Sequence, residues 1–242
     1  YDGVPIYHDA RSVMDVSMFN IGSMYQVEVL RGGNEMFPTS SGSINFVPRI
    51  NYGNNMSLYQ RFGTYNTGNF NGGFSLGNDL LSLNIGNGKS KSVQYYEDKI
   101  DADIIQSHDN NYINIGLRPA VDLELKLSHI KNKKIFKNYY NLDSSNARNE
   151  VSTIKIEKNS KKYGSIELYL SDQISSGEDK ISIFRFNRND KRLLTGLHYK
   201  YHHKNVFFRL NTKHSKASAY CEQDGNELSI DRKGIAFSSV FG

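Results

Sequence analysis

What the chain lacks narrows its class before any motif is read. It has one cysteine, Cys221, no tryptophan and four prolines in 242 residues. A single thiol cannot close an internal disulfide or supply a multi-cysteine zinc site, so Cys221 reads as an incidental thiol. No stretch approaches the ~18 consecutive apolar residues of a membrane-spanning helix, which excludes a helical membrane protein. The mean hydropathy of −0.58 says nothing against a membrane β-barrel, whose strands are apolar on one face only. Helical periodicity is nearly absent: 11–21 carries scattered apolar residues with no stripe. A strong excess of one charge is missing too, with 30 Lys and Arg against 25 Asp and Glu. The basic runs Lys131–Lys134, Lys158–Lys162 and His198–Lys204 read as hairpin tips or solvated faces, not as the basic stripe of a nucleic-acid binder. No nucleophile elbow, phosphate-cradling loop or zinc-protease helix is present. The expectation is a non-enzyme without cofactor, metal or nucleic-acid partner.

What is present is alternation. Val121, Leu123, Leu125 and Leu127 interleave with Asp122, Glu124, Lys126 and Ser128. In a strand of side-chain period two, that makes one apolar and one polar face. Ile154 and Ile156, then Ile166, Leu168 and Leu170, then Leu197, Tyr199 and Tyr201, then Val206, Phe208 and Leu210 repeat the pattern. Turn-forming clusters separate the runs: Lys158–Gly164, Asp172–Asp179, Asn187–Lys191 and His203–Asn205. With 20 glycines and few prolines, this reads as an all-β antiparallel meander. Either a soluble sandwich or an up-and-down barrel in a membrane could use it.

Two clusters could carry metal chemistry. His198 and His202 share a strand face about 13 Å apart at ~3.3 Å per residue, too far to share an ion, and His203 points the other way. Asp101, Asp103, His108 and Asp109 fall in an expected long connection, Tyr95–Asn111, without the spacing of a calcium loop. An exposed loop and a polar strand face are the plain readings.

Residues 1–52 break from period two. They contain Tyr1-Asp2-Gly3-Val4-Pro5-Ile6, then Met24 to Gly33 (MYQVEVLRGG), then Ser41-Gly42-Ser43-Ile44-Asn45-Phe46. In order and spacing this resembles the plug domain of TonB-dependent outer-membrane receptors, with its DGVP turn, IEVLRG strand-turn and small-residue stretch before the barrel. Tyr59–Thr67 and Gly72–Leu76 resemble the first barrel hairpin. Gly33-Asn34-Glu35 and Phe37-Pro38-Thr39 depart from the family pattern. The resemblance implies that 1–52 is the C-terminal part of a plug and 53–242 the N-terminal part of a barrel. It also implies a plug–barrel contact at Glu28, Arg31 and Gly32, with Arg31 paired to a wall carboxylate.

Arithmetic qualifies this. Barrels of such transporters have about 22 strands, needing well over ~400 residues at roughly ten per strand plus turns. Residues 53–242 supply about ten. With Tyr1 in place of an initiator methionine, an internal piece is expected, unless ten strands close a small barrel of their own. The resemblance implies outer-membrane uptake of a scarce nutrient such as an iron chelate or cobalamin, with outer-membrane lipid and the TonB energy-transducing complex as partners. The alternative is a secreted or surface β-sandwich of adhesin type.

Overall fold

A computed structural model describes residues 1–6, 19, 23–30, 43–64, 66–95, 104–139, 141–203 and 206–241. Among them are twelve strands and no helix. β1 (Met24–Leu30) and β2 (Ser43–Pro48) form a two-stranded antiparallel sheet. The rest form one ten-stranded antiparallel sheet in which neighbours in sequence are neighbours in space. They are β3 (Asn55–Phe62), β4 (Gly68–Gly77), β5 (Leu81–Gln94), β6 (Ile104–Ala120), β7 (Leu123–Asn138), β8 (Asp143–Ser160), β9 (Gly164–Ile181), β10 (Phe184–His203), β11 (Val206–Gln223) and β12 (Asn226–Phe241). β3 and β12 are its two edges. The expected meander is what the chain builds, and the expected first hairpin is β3–β4.

The turns define two rims. The near rim carries 78–80, 121–122, 161–163 and the end of β10; the far rim carries 63–64, 66–67, the end of β5, 141–142, 182–183 and 224–225. Asp224 and Gly225 both have positive φ, the backbone that a two-residue hairpin turn with right-handed strand twist requires.

Four expectations are corrected. The polar clusters Asp172–Asp179 and Asn187–Lys191 are not turns: they lie within β9 and β10, whose pairing runs through them unbroken. Toward the far rim both faces of these strands are polar, so hydrophobic alternation disappears while the ladder continues. Val121 leads no apolar row; it occupies the turn before β7 and is fully exposed. His108 and Asp109 belong to β6 and not to a loop, whereas Asp101 and Asp103 lie outside the described residues. Of the two readings of Lys131–Lys134, the hairpin tip falls, since the run crosses the middle of β7, while Lys131 and Lys133 stand on a strand face with Lys133 exposed.

The register turns alternation into two surfaces. One row across the sheet is Leu83, Ile115, Leu127, Ile154 and Leu170. The next row toward the near rim is Leu81, Leu117, Leu125, Ile156, Leu168 and Leu197. This apolar face is bare: Ile154, Ile156 and Leu168 are 43%, 41% and 45% exposed. The opposite face carries Asn114, Ser128, Thr153, Lys155, Ser171, Gln173 and His198, all buried. Among the described residues no second sheet covers the apolar side, so the sandwich architecture is not found. The apolar band also crosses the rows obliquely. On β4 it includes Phe70, which shares a row with Lys89, Lys133 and Arg148. On β11 it has moved to Leu210 and Phe208 beside the near rim. A level band on tilted, staggered strands has to do this.

Candidate functional site

The described parts of residues 1–52 lie against the polar face. Tyr1 Oη donates to Asn114 Oδ1 at 3.1 Å, and Asn114 Nδ2 donates to the Arg49 carbonyl at 3.2 Å. Gln173 Nε2 donates to the Pro5 carbonyl at 2.7 Å, and Ser82 Oγ to the Asn51 carbonyl at 2.7 Å. These bonds satisfy irregular backbone that would otherwise be buried unpaired. Two apolar patches interrupt the polar wall. Tyr112, Ile130 and Val151, adjacent in one row, pack with Tyr1, Phe19 and Met24. Phe19 in turn stacks on Phe46 at 4.1 Å. Val4 packs with Tyr169 and with Leu194, which is fully buried. Tyr169 lies flat over Gly196 of the next strand, where an added Cβ would meet the ring at 2.3–2.4 Å.

Toward the near rim the wall is charged. Register places Glu124, Glu157, Glu167 and His198 in one row across β7–β10, and Lys126 opposite Lys155 in the next. Like charges directly opposite repel, and the side chains resolve this diagonally. Lys126 Nζ is 3.4 Å from Glu124 and 2.9 Å from Glu157. Lys155 Nζ is 2.6 Å from Glu157, 3.5 Å from Glu167 and 3.0 Å from Asp2. It also donates to the Asp2 carbonyl at 2.9 Å. His198 Nδ1 is 3.3 Å from Glu167. At the other end Arg118 pairs with Glu124 at 3.2 Å and stacks on the Tyr52 ring at 3.7 Å. The Tyr52 hydroxyl donates to Glu124 at 2.7 Å. Burial pushes the Asp2 carboxyl above its usual range, and the Lys155 ammonium pulls it back. Burial and the Glu124 carboxylate likewise push the Tyr52 phenol up. The network thus grips residues 1–52 at two points, the Asp2 turn and Tyr52.

Of the residues singled out from the sequence, Glu28 is half-buried on β1 and accepts from Gln26 and Asn45, inside the two-stranded sheet. Arg31 and Gly32 lie outside the described residues. His198 is buried in the network, whereas His202 and His203 are exposed near the rim. Among the described residues no group of His, Cys, Asp and Glu could hold a metal. Cys221 is a partly buried free thiol. Asp2 sits in the turn noted from the sequence, and Lys155, Glu157 and Glu167 alternate with the apolar residues of β8 and β9, but nothing in the alternation shows that they meet. No local signal joins residues 153 positions apart.

No protein-family model and no curated protein sequence matches the chain. Solved structures do. The copper transporter OprC superposes with a TM-score of 0.67 at 11% identity, over 81% of this chain and 34% of that one. The siderophore receptor PiuA from Acinetobacter baumannii superposes with a TM-score of 0.68 at 12% identity, over 91% of this chain and 44% of that one. Both are TonB-dependent receptors, and this chain spans less than half of either. At such identity the likeness speaks to architecture alone: the chain has the fold of part of a TonB-dependent outer-membrane receptor, consecutive up-and-down barrel strands with further chain docked on their polar face.

Proposed function

We propose that the chain is part of an outer-membrane receptor that takes up a scarce nutrient. Residues 1–52 are the C-terminal part of its plug, and 53–242 are the first part of its barrel wall. The observation that carries this reading is the inverted packing. The sheet buries Lys155, Gln173 and His198 while leaving Ile154, Ile156 and Leu168 bare. Burying charge and exposing aliphatic surface is unfavourable in water. It is the stable arrangement where lipid covers the outside and a polar plug fills the lumen. The reading is non-enzymatic. OprC is named for copper and PiuA for a siderophore, and the nutrient in this reading is a scarce one such as an iron chelate or cobalamin. Energy for release would come from the TonB complex, acting on plug residues outside this chain. Glu28, Arg31 and Gly32 remain proposed as a further plug–wall contact.

Lipid quenching gives a direct test. Single tryptophans are placed along β9 of this chain, which has none of its own, in the complete receptor reconstituted with bromine-labelled lipid, and each is read as the difference from the parent receptor so that tryptophans elsewhere cancel. Leu168→Trp and Leu170→Trp should be strongly quenched, and Ser176→Trp, on the same face beyond the band, should not. Equal quenching at all three, or none at any, removes the membrane reading.

A further inference from the structure

Three successive rows of the register frame a hollow on the polar face, between the far rim and the level of Gln173. Its volume is about 550 Å³, within the range of small-molecule sites. The row nearest the rim holds Phe136, Ser145 and Asp179 side by side on β7–β9. The next holds Lys134, Ala147, Gly177 and Arg188. The third is a run of short polar side chains, Asn110, Asn132, Asn149, Ser175 and Asp190. The Arg188 guanidinium lies across Gly177, where an added Cβ would meet its Nη2 at 2.6 Å.

The charges of this hollow are matched internally. Its described lining holds three carboxylates, Asp143, Asp179 and Asp190, and three cations, Lys134, Lys180 and Arg188. Arg188 Nη1 donates to Asp179, and Ser145 Oγ donates to the same carboxylate at 2.5 Å. Asp143 accepts from the Ser182 backbone N–H at 2.8 Å. Ser175 Oγ donates to Asn149 Oδ1 at 2.7 Å, which leaves the Asn149 Nδ2 amide to donate elsewhere. The Ser145 and Ser175 hydroxyls, each already donating, keep lone pairs with which to accept. Phe136, half-buried, brings an aromatic ring to the same hollow.

We propose that this hollow takes a neutral, polyhydroxylated ligand, a short saccharide, with one ring laid on Phe136 and hydroxyls bonded to Asn149, Ser145 and Ser175. The proposal rests on the uptake reading above and names the chemical class of the nutrient. A chelate carrying several negative charges needs an excess of cations where it is desolvated, and this lining offers equal numbers of each sign. Sugar hydroxyls both donate and accept, as these amides and hydroxyls do. Sugar C–H groups suit the electron-rich face of a phenyl ring. The wall keeps this character below the hollow. Down to the level of Lys155, the polar residues on the inner face of β6–β9 are Asn114, Ser128, Thr153, Ser171 and Gln173, all buried and uncharged.

The test is calorimetric titration of the complete receptor in phosphatidylcholine nanodiscs, with insertion read separately by the tryptophan quenching described above. Maltotriose and cellotriose are the neutral probes, their permethylated forms the probes without hydroxyl donors, and an iron tris-catecholate complex the anionic probe. At least one trisaccharide should bind, with an affinity that is the same in about 0.1 M and about 0.5 M salt because no charge is paired. Its permethylated form should bind at least about ten-fold more weakly, since the polar groups of the site are left unmatched. Phe136→Ala and Asn149→Ala should each insert normally and weaken the trisaccharide to a similar degree. Asn146→Ala, on the outward face of the same strand as Asn149, should leave it unchanged. Trisaccharide binding that survives both substitutions, or that the permethylated form matches, overturns the proposal. So does salt-sensitive binding of the tris-catecholate, abolished by the same substitutions, with neither trisaccharide bound. A receptor that inserts and binds no probe overturns this proposal alone; one that does not insert overturns the membrane reading with it.

Discussion

Lys155 is the residue on which most depends. It is almost fully buried and touches Asp2, Glu157 and Glu167. Removing one partner from a buried ion pair strands the others and costs about 3–5 kcal/mol, whereas replacing both partners by apolar groups can be nearly neutral. Lys155→Met should therefore loosen the Asp2 turn more than Asp2→Asn does. The double variant should recover part of the loss, read as protease resistance of residues 1–6 and as urea midpoint. If the double variant is as damaged as Lys155→Met, the pair is not the latch described here. Gly196 gives a second residue-scale expectation. A methyl there collides with the Tyr169 ring, so Gly196→Ala should cost about 1–3 kcal/mol as overpacking. Gly196→Ala combined with Tyr169→Leu should cost less than the sum of the two single changes. Additivity would mean the ring does not lie on the glycine.

At the scale of the element, β9 shows how one strand serves two environments. Its outward residues run Ile166, Leu168, Leu170 and then Asp172, Ile174, Ser176 and Glu178. In the membrane reading proposed above, the apolar stretch is the part in hydrocarbon and the remainder stands beyond it. An arginine on the lipid face near the midplane costs about 2–4 kcal/mol and little outside it. Leu168→Arg should therefore destabilise the folded barrel by that amount, and Asp172→Arg by under about 1 kcal/mol, in folding titrations into bilayers. Equal costs would put the band edge elsewhere. β7 is the strand on which the sequence reading was nearest the structure: Leu123, Leu125 and Leu127 do line one face and Glu124 and Lys126 the other. Its start was displaced by two residues, because Val121 continues the hydrophobic pattern while the chain is already turning.

At the scale of the molecule, the ten-stranded sheet has two edges, β3 and β12, each with one side unpaired by any strand among the described residues. Unpaired backbone in hydrocarbon is strongly unfavourable, and only closure removes it. Residues 1–242 expressed alone should therefore associate in detergent through these edges instead of running as a monodisperse monomer, as measured by light scattering on a sizing column. A monodisperse monomer would show that the edges find each other. Docking of the described parts of residues 1–52 binds five successive wall strands into one body. Asn51 reaches β5, Tyr1 reaches β6, Tyr52 reaches β7, Asp2 reaches β8 and Pro5 reaches β9.

The amino-acid sequence by itself determined the class of this protein. Period-two alternation decides which side of each strand is apolar, and the scarcity of helical periodicity leaves little else to build. It also marked the Asp2-Gly3-Val4-Pro5 turn and the change of pattern near residue 53. These are local properties, set by neighbours two to four positions apart. The length of β9 and β10 was not legible, because a ladder whose two faces are both polar leaves no hydrophobic rhythm to follow. Nor was the Arg118–Glu124–Lys126–Glu157–Lys155–Asp2 network, or the Tyr169–Gly196 contact. Those depend on cross-strand register, which shifts every neighbour if it slips by one residue, and on which face residues 1–52 cover. Only the tertiary structure decided them, since the partners lie on different strands and the charges are stable only when all of them are brought together.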